Sequence, residues 1–156
     1  MDQKEVEVVL RGVYVKSPAE VNSLDSLNSV EFSILDAKPL TPSSALSTYY
    51  DEAGLLSCVA VDARSGPQVS LEGIRLAGRV PSELEDEFAR YLESRGQAIM
   101  YSQSWDPSSS LLGVVLRAQR VDDVVLTRPV FVCRAWADRC GDETEGSIPC
   151  AEWQRR

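Results

Sequence analysis

Histidine is missing from this chain altogether. Without an imidazole there is no His-based catalytic triad, no His metal ligand and no side chain that ordinarily titrates near neutral pH. The phosphate-cradling GxxxxGK[ST], the dinucleotide-binding GxGxxG, the nucleophile elbow GxSxG and the paired-thiol CxxC are absent too. No apolar run approaches the roughly 20 residues that a membrane-spanning helix needs. The start, "MDQKEVEVVLRG", lacks the basic, apolar and small-residue sections of a signal peptide. These absences predict a soluble intracellular protein, cytoplasmic or nuclear, without cofactor or metal and with reduced thiols. They leave Ser, Asp, Glu and Cys chemistry open in principle, but nothing singles it out, and the expectation is a protein that is not an enzyme.

What the chain does have is ordinary for a globular domain: 156 residues, 44% hydrophobic and 26% charged. Its net charge of -8 argues against nonspecific binding of polyanions, which depends on cations that release counterions. The acidity is local. Residues 82–96 carry -3 and residues 138–152 carry -4, which leaves -1 for everything else. The remaining surface is therefore free to present a mildly basic face.

One helix is predicted at about 82–95. Ser82 and Glu85 have capping-box spacing, acids crowd the first turns, Leu84, Phe88, Tyr91 and Leu92 form an apolar stripe, and Gly96 supplies the stop. Elsewhere alternation predicts strands at 5–15, at 29–36, at 55–63 and 68–77 joined as a hairpin through "DARSGP", at 97–104 and 111–120 linked by "DPSSS", and a weaker pair within "VVLTRPVFVCRAW". Residues 36–50, with two prolines and several serines, read as a long loop. The fold class is mainly β, a β-rich α+β domain over 1–137, followed by an acidic C-terminal extension at 138–156.

Four cysteines are present, three of them within "FVCRAWADRCGDETEGSIPC". Cys58, inside "LLSCVAV", reads as a buried core thiol. The Cys133, Cys140 and Cys150 spacings, Cx6C and Cx9C, match no common zinc pattern, and no histidine completes a ligand set. Reduced thiols rank first, a disulfide closing 140–150 second and zinc last. Asp122 and Asp123, adjacent before a strand, read as a turn rather than a cation site.

The order strand, hairpin, helix, hairpin, and in particular "VAVDARSGPQVSLEGIRLAG", resembles the oligonucleotide/oligosaccharide-binding barrel superfamily over about residues 4–121. The resemblance implies a small antiparallel barrel with a groove in which bases stack on aromatics and phosphates meet cations. On the strand reading, Arg11, Tyr14, Lys16, Arg75, Tyr101, Trp105 and Arg117 face outward and supply that mixture, with Arg75, Tyr101 and Arg117 at its centre. The competing reading puts Tyr101 and Trp105 in the core and the arginines in solvent. Such barrels also serve as assembly subunits, and the acids Asp142, Glu143 and Glu145 are the expected contacts to a protein partner. The leading expectation is a non-enzymatic subunit that binds single-stranded nucleic acid, assembles with protein partners, or both. The alternative is a small acidic inhibitor or immunity-type protein that blocks a basic partner such as a nuclease.

Overall fold

The computed structural model describes residues 1–11, 13–16, 29–34 and 44–155. At its centre is a sheet of eight strands: β1 (Tyr14–Lys16), β2 (Ser29–Ile34), β3 (Leu46–Tyr50), β4 (Leu56–Val61), β7 (Met100–Tyr101), β8 (Pro107–Ser109), β9 (Val114–Val121) and β10 (Val124–Val132). Their order is β1-β2-β3-β4-β10-β9-β8-β7, with every neighbour antiparallel. Two up-and-down runs thus meet along the β4–β10 seam. A separate ribbon pairs β5 (Ser70–Leu71) with β6 (Ile74–Arg75). The mainly β class is as the alternation predicts. Among the described residues no pairing joins β1 to β7 to close the sheet into a barrel.

Both faces of the sheet are covered. On one face Val30, Phe32, Leu46, Tyr50 and Val61 pack against Val6 of helix α1 (Gln3–Leu10). On the same side Val114 and Leu116 pack against Leu84, Phe88 and Leu92 of helix α2 (Pro81–Glu93). Side chains alternate along a strand, so the residues between these face the other way. There Tyr49, Cys58, Ala60, Val115 and Val130 meet Cys140, Ile148 and Trp153 from the C-terminal segment. That segment runs through a 3₁₀ helix at Arg134–Arg139 to helix α3 (Cys150–Gln154). Burying a side chain of this size contributes roughly 1.5–3 kcal/mol. Residues 138–155, read from the sequence as an acidic C-terminal extension, pack on this face through Cys140, Ile148 and Trp153. Their apolar contacts are single residues spread along an acidic segment, so no periodicity announces them.

Several local expectations are corrected. Residues 3–10, read as part of a strand, form α1, because Asp2 and Glu5 make a reciprocal capping box: Glu5 N donates to Asp2 at 2.9 Å and Asp2 N donates to Glu5 at 2.7 Å. The predicted helix is α2, but Val80 is its N-cap and Ser82 makes no capping bond. Pro81, preset for the first helical position, starts the helix one residue before Ser82. Gly96 does end it, at φ 70°, with Gln97 N bonded to the Leu92 carbonyl at 2.9 Å.

The expected hairpin between 55–63 and 68–77 does not form. Asp62 accepts the N–H groups of Arg64 and Ser65, turning the chain away from β4, whose neighbours are β3 and β10. The stretch 70–75 folds on itself through Glu72 and Gly73, both at positive φ. Within the supposed loop 36–50, residues 46–50 are the fully buried β3; their serine and threonine hydroxyls hide a strand whose polar groups are paired inside the sheet. Residues 36–43 lie outside the described residues. The weak strand pair near the C-terminus is instead the single strand β10, which Asp122 and Asp123 join to β9 in a two-residue turn.

Pro129 interrupts β10 at no cost in hydrogen bonding. Thr127 exchanges both backbone bonds with the 78–79 segment, and pairing to β4 begins only at Val130. The proline nitrogen falls in the gap between these two partners.

Candidate partner-docking surface

Chemistry-bearing side chains concentrate on the C-terminal face and at the β7 edge. Arg117 on β9 and Arg128 on β10 stand directly opposite each other, 3% and 1% exposed. Two adjacent guanidiniums in a core are tolerable only if each is neutralised and its donors are satisfied. Arg128 makes a two-point pair with Glu152 of α3: Nε to Oε1 at 2.6 Å and Nη2 to Oε2 at 3.1 Å. Asp62 lies 3.6 Å away on its other side, and Nη2 also donates to the Ser47 hydroxyl at 3.3 Å. Tyr49 donates to Glu152 at 2.5 Å, and burial together with that carboxylate pushes its phenol well above the ordinary range.

Arg117 links two elements. Its Nε donates to Asp106 at 3.1 Å, while its other nitrogens donate to the carbonyls of Glu152 and, at 2.9 Å, Trp153. The guanidinium also lies 4.8 Å from the Trp153 ring centre. The carbonyl end of a short helix and a carboxylate together supply the negative charge that this cation needs. Burial pushes the Asp106 carboxyl up despite Arg117 beside it.

Asp106 closes the turn that joins β7 to β8. Ser102 N donates to the Asp106 carbonyl at 3.0 Å, Trp105 N donates to the Ser102 carbonyl at 3.1 Å, and the Ser102 hydroxyl accepts from Ser104 N and Asp106 N. Glu143 clamps the turn from the C-terminal segment, accepting both the N–H and the hydroxyl of Ser104. At the tip stands Trp105, 80% exposed and at φ 66°, a conformation costly for a residue with a Cβ. Its ring lies 6.1 Å from that of Tyr101, whose hydroxyl donates to Glu85 of α2 at 2.7 Å. Met100 is exposed beside them. An indole held in water by a strained, heavily bonded turn has no packing reason to be there.

The residues singled out in the sequence for a nucleic-acid groove do not gather in one place. Arg11, Tyr14 and Lys16 lie at or beside β1, at the opposite edge of the sheet from Tyr101 and Trp105, and Lys16 pairs with Glu7 at 3.1 Å. Tyr14 packs against the α1-side core. Arg75 is exposed on the β5–β6 ribbon, with Glu87 of α2 near it. Arg117, expected to face outward, is buried beneath α3, because even an arginine can be internal when a carboxylate and carbonyls surround it. Of the expected partner contacts, Glu143 grips the Trp105 turn, Asp142 caps its own loop by accepting from Thr144 and Glu145, and Glu145 is exposed. The sequence reading missed Arg128, Glu152 and Asp106. Their partners are far away along the chain, and no local spacing announces them.

A hollow of about 340 Å³ opens between the β7–β8 hairpin and the 138–142 segment, with Tyr101, Ser102, Ser108, Asp138, Gly141 and Asp142 among its walls. All four cysteines are unpaired, Cys58 and Cys140 buried with thiols pushed up by burial. Among the described residues no cluster of ligating side chains suits a metal ion, and no helix is long and apolar enough to cross a membrane. No family model, curated protein or solved structure matches the chain.

Proposed function

We propose that this chain is a non-enzymatic binding protein that docks on a basic protein partner through the Trp105 turn. The observation that carries the reading is Trp105 itself, an 80% exposed indole fixed at positive φ and paired with Tyr101. Tryptophan and tyrosine are the side chains most often at the centre of protein interfaces, and a preformed turn avoids the entropy cost of ordering them on binding. The charge around them selects the partner. Glu85, Asp138, Asp142 and Glu143 lie at or next to the aromatic pair, and the whole chain carries -8. That field attracts a cationic surface and repels a phosphate backbone. The same chemistry serves a subunit of an assembly and an inhibitor seated on a basic protein. An OB-like barrel that carries a single nucleic-acid strand draws support only from the Tyr101–Trp105 pair, since Arg11, Lys16 and Arg75 lie away from it and Arg117 is buried.

A photo-crosslinking amino acid at position 125, where exposed Val125 lies beside Ser104 and Trp105 is kept intact, introduced in the full chain and activated in extracts of the native source, tests the reading. The expected product is a covalent adduct to one basic protein, suppressed by excess unlabelled wild type and not by excess Trp105→Ala. An acidic partner, a nucleic-acid adduct, or equal suppression by both competitors overturns it. If the partner has an activity, its loss in the complex identifies the inhibitor form.

A further inference from the structure

We infer that the hollow beside Trp105 is a receptor for one arginine side chain of the docking partner; this rests on the docking reading above. The cavity, about 340 Å³, is open at the surface and has room for a guanidinium on its alkyl stem. Its walls carry what that group needs. Asp138 is exposed on the wall, with no ion-pair partner among the described residues. Asp142 accepts from the backbone N–H groups of Glu145 and Thr144 and from the Thr144 hydroxyl, which holds its carboxyl below the usual range and keeps it anionic. Arg139 is also in the lining, so its two carboxylates and one guanidinium leave it net negative. Ser108, on the same wall, adds a hydroxyl. A planar fork of five donors matches this spread of acceptors better than a compact ammonium does.

Gly141 keeps the hollow open. A Cβ built there comes to 3.3 Å from the Ser108 hydroxyl and 3.5 Å from Ser102 Cα, so any larger side chain projects into the site. Glycine at 141 and Asp138 are therefore the two positions at which the receptor is tested without touching Trp105.

The experiment titrates N-acetyl-arginine amide, and separately its neutral isostere N-acetyl-citrulline amide, into the isotope-labelled full chain. The readouts are the Trp105 indole and the Ser102 and Gly141 amide resonances. Expected is a saturable shift of all three with the arginine compound only, weakened about tenfold in Asp138→Asn and lost in Gly141→Val. Should Gly141→Val not fold, Asp138→Asn decides alone. An absent shift, an equal response to the citrulline compound, or unchanged affinity in Asp138→Asn overturns the receptor. A position-125 cross-link to a basic protein that persists alongside any of these results leaves docking standing and removes only the pocket. An intact arginine response without that cross-link removes the docking reading instead.

Discussion

Arg117 holds the carboxylate of Asp106 at 3.1 Å with its Nε while its other nitrogens grip the carbonyls at the end of α3. One buried guanidinium thereby ties the C-terminal helix to the turn that presents Trp105. The last turn of the chain and the most exposed aromatic are parts of one construction, although they are some 50 residues apart along the sequence.

On the neighbouring strand Arg128 is buried against Glu152. Replacing Glu152 by glutamine keeps the shape and removes the nearer of the two carboxylates that neutralise it. Urea denaturation is expected to show a loss below the about 3–5 kcal/mol of a fully unpaired buried charge, because Asp62, 3.6 Å away, still neutralises part of the guanidinium. In Arg128→Met/Glu152→Leu the loss is smaller than the sum of the single changes, because neither member of that pair is left without the other.

Trp105 sits at φ 66°, where glycine is relieved of a steric cost that every other residue bears. Trp105→Gly is expected to be more stable than Trp105→Ala by about 1 kcal/mol in denaturant titrations. Equal stability of the two variants means that the turn relaxes out of the left-handed region when the indole is removed. Both variants are expected to lose the partner.

Acidic surroundings make the same indole a probe of charge. Of the three tryptophans Trp105 is 80% exposed, Trp136 is half-buried and Trp153 is 6% exposed, so collisional quenching of fluorescence reports mainly on the first. Caesium is expected to quench more efficiently than iodide at low salt, with the difference shrinking as ionic strength rises. Trp105→Phe removes most of the response to both ions. Stronger quenching by iodide contradicts an anionic docking surface.

Asp62 gives the molecule part of its acid sensitivity. Burial raises its proton affinity, but the N–H groups of Ser65 and Arg64, the Ser65 hydroxyl and the Gln119 amide outweigh it and depress the carboxyl below its ordinary value of 3.8. A depressed folded value means that the unfolded chain binds the proton more readily. The stabilisation is therefore complete above the ordinary value and is lost as pH falls through it toward the folded one. Asp62→Asn is expected to be less stable at neutral pH and to show a flatter decline of stability at acid pH, measured as the urea midpoint against pH.

Gly78 marks a close approach rather than a free turn. It lies at φ 69°, and a Cβ there would stand 2.7 Å from the Ala63 carbonyl oxygen. Gly78→Ala combines a left-handed penalty of about 1–2 kcal/mol with a backbone clash. Thermal melts are expected to show a larger loss than for Gly54→Ala, where the φ is similarly positive but the space is open.

Local chemistry was legible wherever a signal and its partner lie within a few residues. The stripe Leu84, Phe88, Leu92 and the stop at Gly96 placed α2, and the Asp122–Asp123 turn and the buried Cys58 read directly from their neighbours. The alternation of Val6, Val8 and Leu10 misled, because the Asp2–Glu5 box is as local as the alternation and satisfies more backbone donors. β3 escaped notice because Ser47 and Thr48 look solvated until the strands that pair with them are known.

By itself the sequence determined the charge and its concentration in two segments, the chemistries excluded by the lack of histidine, the mainly β class and the one long amphipathic helix. Those properties depend on composition and on periods of two or 3.6 residues, which are written along the chain. Only the tertiary structure decided that the acidic segment is a layer of the core, that Arg117 is buried while Trp105 is exposed, and that the candidate cations are scattered. Each of these follows from antiparallel pairings that bring β4 beside β10 and α3 onto β9, and the partners that neutralise a guanidinium or strain a turn come from segments that no local repeat connects.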